Sequence, residues 1–359
     1  DYHVKGVWWH GLMEGRPGRT YRLRFSGSGV GEARTVEGGR LIEAGLNHSV
    51  VETRGPEDQP RDRAGYVEWP LRVKLATRPD RTQLLGTLSK SALARPSAGL
   101  VAWQENVERI RNRIQEVMGP VPGEERWVDL GVEVESEVEA GSYVRRLIHY
   151  QSEPDSRTPA YLLIPKKCLA GDSPAPGVLC LHPTDHRVGH QVVVGLGGKS
   201  GRNYAEELAR RGWVAIAPSY PLLANYQPDL EALGYQSGSM KAIWDNRRAI
   251  DLLQSLPYVQ KGGVAAIGHS LGGHNAIYTA VFDERIKVLA TSCAFDSYLD
   301  YQNGDIRGWT SQRYMPALLD YELAEIPFDF HELLGVLAPR GLWVSAPLGD
   351  HNFKWESVD

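Results

Sequence analysis

The stretch Gly268-His269-Ser270-Leu271-Gly272 places a hydroxyl between two glycines, after an apolar run and before a helical one. A strand that turns at once into a helix forces its middle residue into a strained backbone conformation. Glycines on either side remove the side chains that would collide there. Such a serine is held clear of the chain at the C-terminal edge of a sheet. It sits beside a helix N-terminus, whose free N–H groups favour developing negative charge. That pattern suits a nucleophile. The plainer alternative is a tight turn with an incidental serine.

Two other clusters invite chemistry and carry less. His182, His186 and His190 are spaced four apart, which on a helix would align three imidazoles on one face for a metal. Pro183 and Gly189 break such a helix, and no glutamate lies between the histidines, so no metal site is expected. The glycine-rich run GLGGKSG, 195–201, follows no strand of its own and does not end as a phosphate loop does. A loop ahead of a helix is the expected reading, and no cofactor is implied.

The elements that must position Ser270 alternate. Continuous apolar runs at 177–182, 213–218, 263–270, 286–293 and 341–347 suit parallel strands covered on both faces. Helical patterns lie at 203–212, 239–257 and 272–282. Ahead of these, 126–135, 143–152 and 159–165 alternate like antiparallel strands, and apolar residues at 103, 107, 110, 114 and 117 mark one helix face. Repeated β-α alternation predicts an α/β fold with a mainly parallel sheet and helices on both faces. Residues 1–97 differ in composition. HVKGVWWHGL and TYRLRFSGSGVG read as short strands between Gly/Pro/Arg-rich linkers, so an accessory, β-rich segment of unassigned function is expected there, and 98–359 as the main domain.

The 359 residues carry a formal net charge of −4, with 42% apolar and 23% charged residues. Basic residues form no stripe, which argues against nucleic acid as a partner. No apolar run approaches the ~20 residues of a membrane span. Cys180 and Cys293 lie in apolar runs and read as buried free thiols, and the three cysteines lack metal-type spacing. The chain begins at Asp1, without a leader pattern. A removed leader would imply a secreted or periplasmic protein, and a trimmed chain would imply nothing about compartment.

Five stretches carry a family likeness: VLCLHPTD (178–185), GLGGKSGRNYAEELARRGWVAIAPSYP (195–221), SGSMKAIWDNRRAIDLLQSLP (237–257), IGHSLGGHNAIY (267–278) and GWTSQRYMP (308–316). From about residue 100 onward the chain resembles the α/β-hydrolases, more narrowly the acetyl xylan esterase-like and dienelactone hydrolase-like branch of bacterial serine esterases. The resemblance implies a metal-free, cofactor-free carboxylesterase in which Ser270 forms an acyl-enzyme with a short acyl group, with acetyl esters on plant polysaccharide among the candidate substrates. The N–H of Leu271 would be one oxyanion donor. The second usually follows His-Gly; here the segment is His182-Pro183-Thr184, and because proline has no N–H, Thr184 is expected to supply it, with Asp185 as the other choice.

The resemblance also places the acid after the strand GLWVSAP, at Asp350, with Asp296 as fallback. His182 is expected to help shape the oxyanion loop and, with His269, to line the pocket, together with Trp309 and Tyr314 from the aromatic insertion 295–330; His186 and His190 are expected at its mouth. A covering subdomain with its own small core explains those aromatics equally well. The base histidine comes last in chain order in this fold, after one more strand and a loop. Only nine residues follow Asp350, and His351 stands beside the acid on extended chain, where neighbouring side chains point apart. The domain is therefore expected to lack its last strand, with the base beyond Asp359. Two alternatives to an active esterase stay open: a non-catalytic or weakly active binding protein on a hydrolase scaffold, and a serine peptidase of the same fold.

Overall fold

A computed structural model describes residues 20–25, 49–52, 67–75, 100–171 and 174–359. The chain divides into two compact units, Asp1–Leu84 and Leu85–Asp359. In the first, β1 (Thr20–Phe25), β2 (Ser49–Glu52) and β3 (Val67–Leu75) form an antiparallel sheet in the order β1-β3-β2. β1 falls inside the expected strand at 20–31; the expected strand at 3–12 lies outside the described residues.

The second unit opens with helix α1 (Leu100–Met118), whose Ile110, Ile114, Val117 and Met118 are buried. It is then built on one eight-stranded sheet. β4 (Glu133–Ala140), β5 (Tyr143–Glu153) and β6 (Ser156–Pro165) pair antiparallel. β7 (Gly177–Leu181), β8 (Val214–Pro218), β9 (Val264–His269), β10 (Ile286–Ser292) and β11 (Gly341–Ser345) run parallel. The order is β11-β10-β9-β7-β8-β6-β5-β4. Helices α2 (Tyr204–Arg210), α3 (Gly238–Ser255), α4 (Leu271–Phe282) and α5 (Phe330–Val336) fill the connections.

All five residues of β7 and all five of β8 are buried, as continuous apolar runs under two helical layers require. β11 departs from that expectation. It pairs only with β10 among the described strands, and Leu342 and Trp343 on it are exposed, because an edge strand is not walled in on both sides. The strand expected at 126–135 begins later, at Glu133: Gly131, at φ 43°, turns the chain first. Its valines are exposed because β4 is the opposite edge.

A charged knot lies inside the core. The Lys241 ammonium, fully buried on α3, bonds Asp245 Oδ1 (2.5 Å), Glu153 Oε1 (2.9 Å) and Ser152 Oγ (3.2 Å). Tyr226 donates to Asp245 (2.9 Å), while Tyr235 (2.9 Å) and Arg126 (2.8 Å) donate to Glu153. Each buried charge thus has an opposite partner and satisfied lone pairs, the condition for keeping ions out of water. The knot ties the start of α3 to β5, and that start in turn anchors the chain that carries Tyr314.

Chain order reverses around β7: β8 is added on one side of it and β9 on the other. The crevice beyond the carboxyl ends of β7 and β9 is therefore the topological switch point of the sheet, where ligands bind in open α/β folds. His182-Pro183-Thr184 leaves the first strand there, and Ser270 leaves the second.

Candidate active site

Ser270 stands at φ 54°, ψ −122°, a conformation that a residue with a side chain adopts only when its surroundings impose it. The imposition is visible. Its N–H donates to Ser292 O on β10 (2.8 Å), and its own carbonyl accepts from the N–H groups of Gly273 (2.8 Å) and His274 (3.2 Å). A Cβ on Gly268 would lie 2.1 Å from Gly272 O, and one on Gly272 would lie 1.8 Å from Leu181 O and 2.9 Å from His182 O. Both glycines are thus required, one for the bend and one for the press of α4 against the end of β7. Ser270 is half-buried, and its hydroxyl has no hydrogen-bond partner among the described residues.

The loop across the crevice is fixed from below. His182 is buried; its Nδ1–H donates to Pro183 O (2.8 Å), and its Nε2 accepts from Tyr220 N–H (3.0 Å). Burial pulls its pKa down to about 4, so the ring is neutral and this pattern holds at physiological pH. With both nitrogens committed, His182 shapes the loop, which corrects the expectation that it lines the pocket. Asp185 closes the next turn by accepting from Arg187 N–H (2.9 Å) and Val188 N–H (3.0 Å). Between these anchors the N–H of Thr184 has no acceptor among the described residues, and neither does that of Leu271, the first residue of α4. Two free donors therefore flank the switch point, one of them backed by the positive end of a helix dipole.

On the opposite side, β10 and β11 end in Cys293, Asp296 and Asp350. Asp350 Oδ1 accepts from Asn352 N–H (2.9 Å) and Phe353 N–H (3.3 Å), and its Oδ2 is buried without a hydrogen bond. Cys293, at φ 49°, places its thiol beside Ser292 Oγ (3.7 Å) and Asp350. It is half-buried, not buried as its apolar run implied. Burial and the nearby carboxylate raise its pKa to about 11, which keeps it a neutral thiol. His351 is exposed on the turn.

His269 is half-buried on the far side of the elbow, its Nδ1 3.4 Å from Ser292 Oγ. It lines a cleft of about 290 Å³ together with Ser200, Arg202, Tyr204, Ser292 and Trp343. Burial, then repulsion from Arg202, lowers its pKa to about 4, with Asp350 pulling weakly the other way. None of the described histidines hydrogen-bonds the Ser270 hydroxyl.

The aromatic insertion is mostly core. Trp309 is 2% exposed and packs edge-on against Tyr298 and Tyr301 (both 5.6 Å between centroids) and beside Phe330 (5.6 Å). It is no open stacking wall, which corrects its assignment to the pocket. Tyr314 is different. It is half-buried, and its hydroxyl lies 3.4 Å from Thr184 Oγ1. Its backbone is pinned by Ser239 N–H to Tyr314 O (3.3 Å), by Gly238 N–H to Gln312 O (2.9 Å), and by the Tyr220 hydroxyl to Arg313 O (2.9 Å). Tyr220, which locks both His182 and the Tyr314 segment, was not singled out in the sequence; its place two residues beyond β8, at the sheet's carboxyl edge, was the available signal.

No protein-family model matches the chain. Among solved structures, it is similar to a glucuronoyl esterase from Solibacter usitatus (TM-score 0.56, 21% identity, 73% of this chain and 79% of that one). It is likewise similar to a glucuronoyl esterase from Teredinibacter turnerae T7901 (TM-score 0.57, 19% identity, 77% and 76%). The chain has the α/β-hydrolase fold. A third solved structure with this hydrolase fold, from Bacteroides fragilis NCTC 9343, is titled "putative acetyl xylan esterase" (TM-score 0.52, 16% identity, 81% and 79%). A curated relative, "Putative hydrolase YtaP" of Bacillus subtilis (strain 168), is 27% identical over 197 residues, 51% of this chain. The matched region spans 62% of that protein's length.

Proposed function

We propose that this protein is a serine carboxylesterase that hydrolyses short acyl esters on carbohydrate through an acyl-enzyme on Ser270. One observation carries the proposal: a strained serine at the switch point, with the unpartnered N–H groups of Leu271 and Thr184 on the two elements that flank it. In this mechanism the Ser270 hydroxyl attacks the ester carbonyl, and its proton passes to a general base. The oxyanion of the tetrahedral intermediate is held by those two amides. Collapse expels the alcohol and leaves the acyl group on Ser270, and water repeats the sequence to release the acid. Asp350, with one oxygen anchored to its own turn and one free, orients the base and balances its charge. None of the described histidines hydrogen-bonds the Ser270 hydroxyl, so the base is not assigned to any of them.

The carbohydrate part rests on company: solved structures that share the fold include glucuronoyl esterases and one titled as an acetyl xylan esterase. Ser270→Ala is expected to abolish turnover of p-nitrophenyl acetate and of acetylated xylan oligosaccharides. Undiminished turnover by that variant eliminates the assignment.

A second reading, a binding protein on a hydrolase scaffold, is favoured by one observation: no described histidine meets the Ser270 hydroxyl. It predicts binding of the same esters without turnover. A serine peptidase of this fold would show instead as cleavage of small peptides.

A further inference from the structure

The turn that carries Asp350 is held by a second carboxylate. Asp350 Oδ1 takes the N–H groups of Asn352 (2.9 Å) and Phe353 (3.3 Å); the next donor in the chain, Lys354 N–H, goes to Asp296 Oδ2 (2.9 Å). Three consecutive main-chain donors are thus shared by two carboxylates that arrive from the ends of β11 and β10. In both side chains the remaining oxygen, Asp350 Oδ2 and Asp296 Oδ1, is buried with no hydrogen-bond partner. Asp296 is 1% exposed. An asparagine oxygen would accept the Lys354 N–H without placing an ionisable group out of water, so a carboxyl at this point calls for a use of its charge.

We propose that Asp296 is a positioning residue for Asp350: its carboxylate clamps the 350–354 turn, and loss of its negative charge loosens that clamp. The inference rests on Asp350 being the acid of the proposed esterase. Four groups face Asp296. Asp300 and Asp329 repel its charge, Lys354 attracts it, and the Tyr301 hydroxyl lies close by. Burial dominates and raises its pKa to about 7, against the pull of the Lys354 N–H. Above that pH the bond to Lys354 N–H is charge-assisted and short; below it the protonated carboxyl is a weaker acceptor.

The test uses the full chain and kcat/KM for p-nitrophenyl acetate from pH 5 to 9, comparing wild type with Asp296→Asn. At pH 8 the variant is expected to lose about tenfold in kcat with KM little changed, the scale of an outer-shell orienting partner. Its acid limb should also become shallower, with one proton fewer than in the wild type. Thermal unfolding separates this from a structural role. The folded pKa of Asp296 lies above its unfolded value, so its contribution to stability is present at low pH and lost as pH rises through about 7. Asp296→Asn should therefore be at least as stable as wild type at pH 8 while being less active.

Lys354→Pro gives a second handle. Lys354 sits at φ −76°, which proline accepts, so the N–H donor is removed together with a side chain that pairs with Asp300 (3.6 Å) and Asn303 (3.0 Å); a similar loss of kcat is expected, and Lys354→Ala, which keeps the N–H, should show much less of it. Unchanged acid limbs and kcat in an active wild type and Asp296→Asn overturn the inference alone, as does an activity loss that merely tracks unfolding. Absence of any Ser270-dependent turnover in the wild type overturns the esterase proposal and this inference with it.

Discussion

Gly272→Ala isolates the contact on which the two oxyanion donors depend. Gly272 is the second residue of α4, directly after Leu271, and the Cβ of an alanine there would meet Leu181 O at 1.8 Å, Leu181 C at 2.4 Å and His182 O at 2.9 Å. All three are backbone atoms at the end of β7, so no side chain can swing aside. To reach an ordinary contact the start of α4 must withdraw from the β7 end by roughly 1.5 Å, overpacking of the kind that costs about 1–3 kcal/mol of stability. Leu271 N–H would move with the helix, and Thr184 N–H would stay with the loop. A misplacement of that size at reacting groups costs about 100-fold in rate, equivalent to about 2.7 kcal/mol of transition-state stabilisation. The assay is kcat/KM for p-nitrophenyl acetate on protein shown by thermal unfolding to be folded. A folded Gly272→Ala variant with wild-type kcat/KM would refute the idea that these two amides act on one point.

Thr184 separates backbone from side chain. Thr184→Pro removes the N–H and should cost about 10²–10³ in kcat, the usual loss for one oxyanion donor, whereas Thr184→Val loses only the 3.4 Å contact with Tyr314 and should stay within about threefold; equal losses in the two variants would move the second donor elsewhere. Stability should fall with acid. Burial lowers the pKa of His182 to about 4 and those of His190 and His274 to about 3, from 6.5 in the free side chain, so the unfolded chain binds their protons first. The stability they contribute is complete above about 6.5 and is lost as pH falls toward 4, outweighing the opposite trend of Asp296; a melting temperature that stays flat between pH 6.5 and 4.5 would contradict this.

The parallel strands and the elbow were legible in the sequence because each is written locally. An apolar run of five or six residues has few alternatives to a doubly covered strand, and glycines around a serine at a strand-helix joint leave one backbone path. What could not be read depends on contacts between distant segments. Trp309 and Tyr314 lie five residues apart in one aromatic-rich loop, yet Trp309 is sealed among Tyr298, Tyr301 and Phe330, and Tyr314 reaches Thr184. Nothing in their spacing distinguishes them; the anchoring of the Tyr314 chain to α3 and Tyr220 does. His182 was legible as part of the loop but not as its brace, since its second partner is the backbone of Tyr220, on another strand end. The sharing of one turn by Asp296 and Asp350 was hidden for the same reason: they are 54 residues apart in the numbering and meet only through the amides of 352–354.

A fluorophosphonate probe tests the central claim most directly, because it reacts only with a serine whose hydroxyl is activated and whose phosphonyl oxygen finds donors. The account predicts labelling that approaches one equivalent per chain, mapped by peptide mass spectrometry to Ser270 and lost in Ser270→Ala. Folded wild-type protein that takes up no label, or takes it up at another residue, would contradict it.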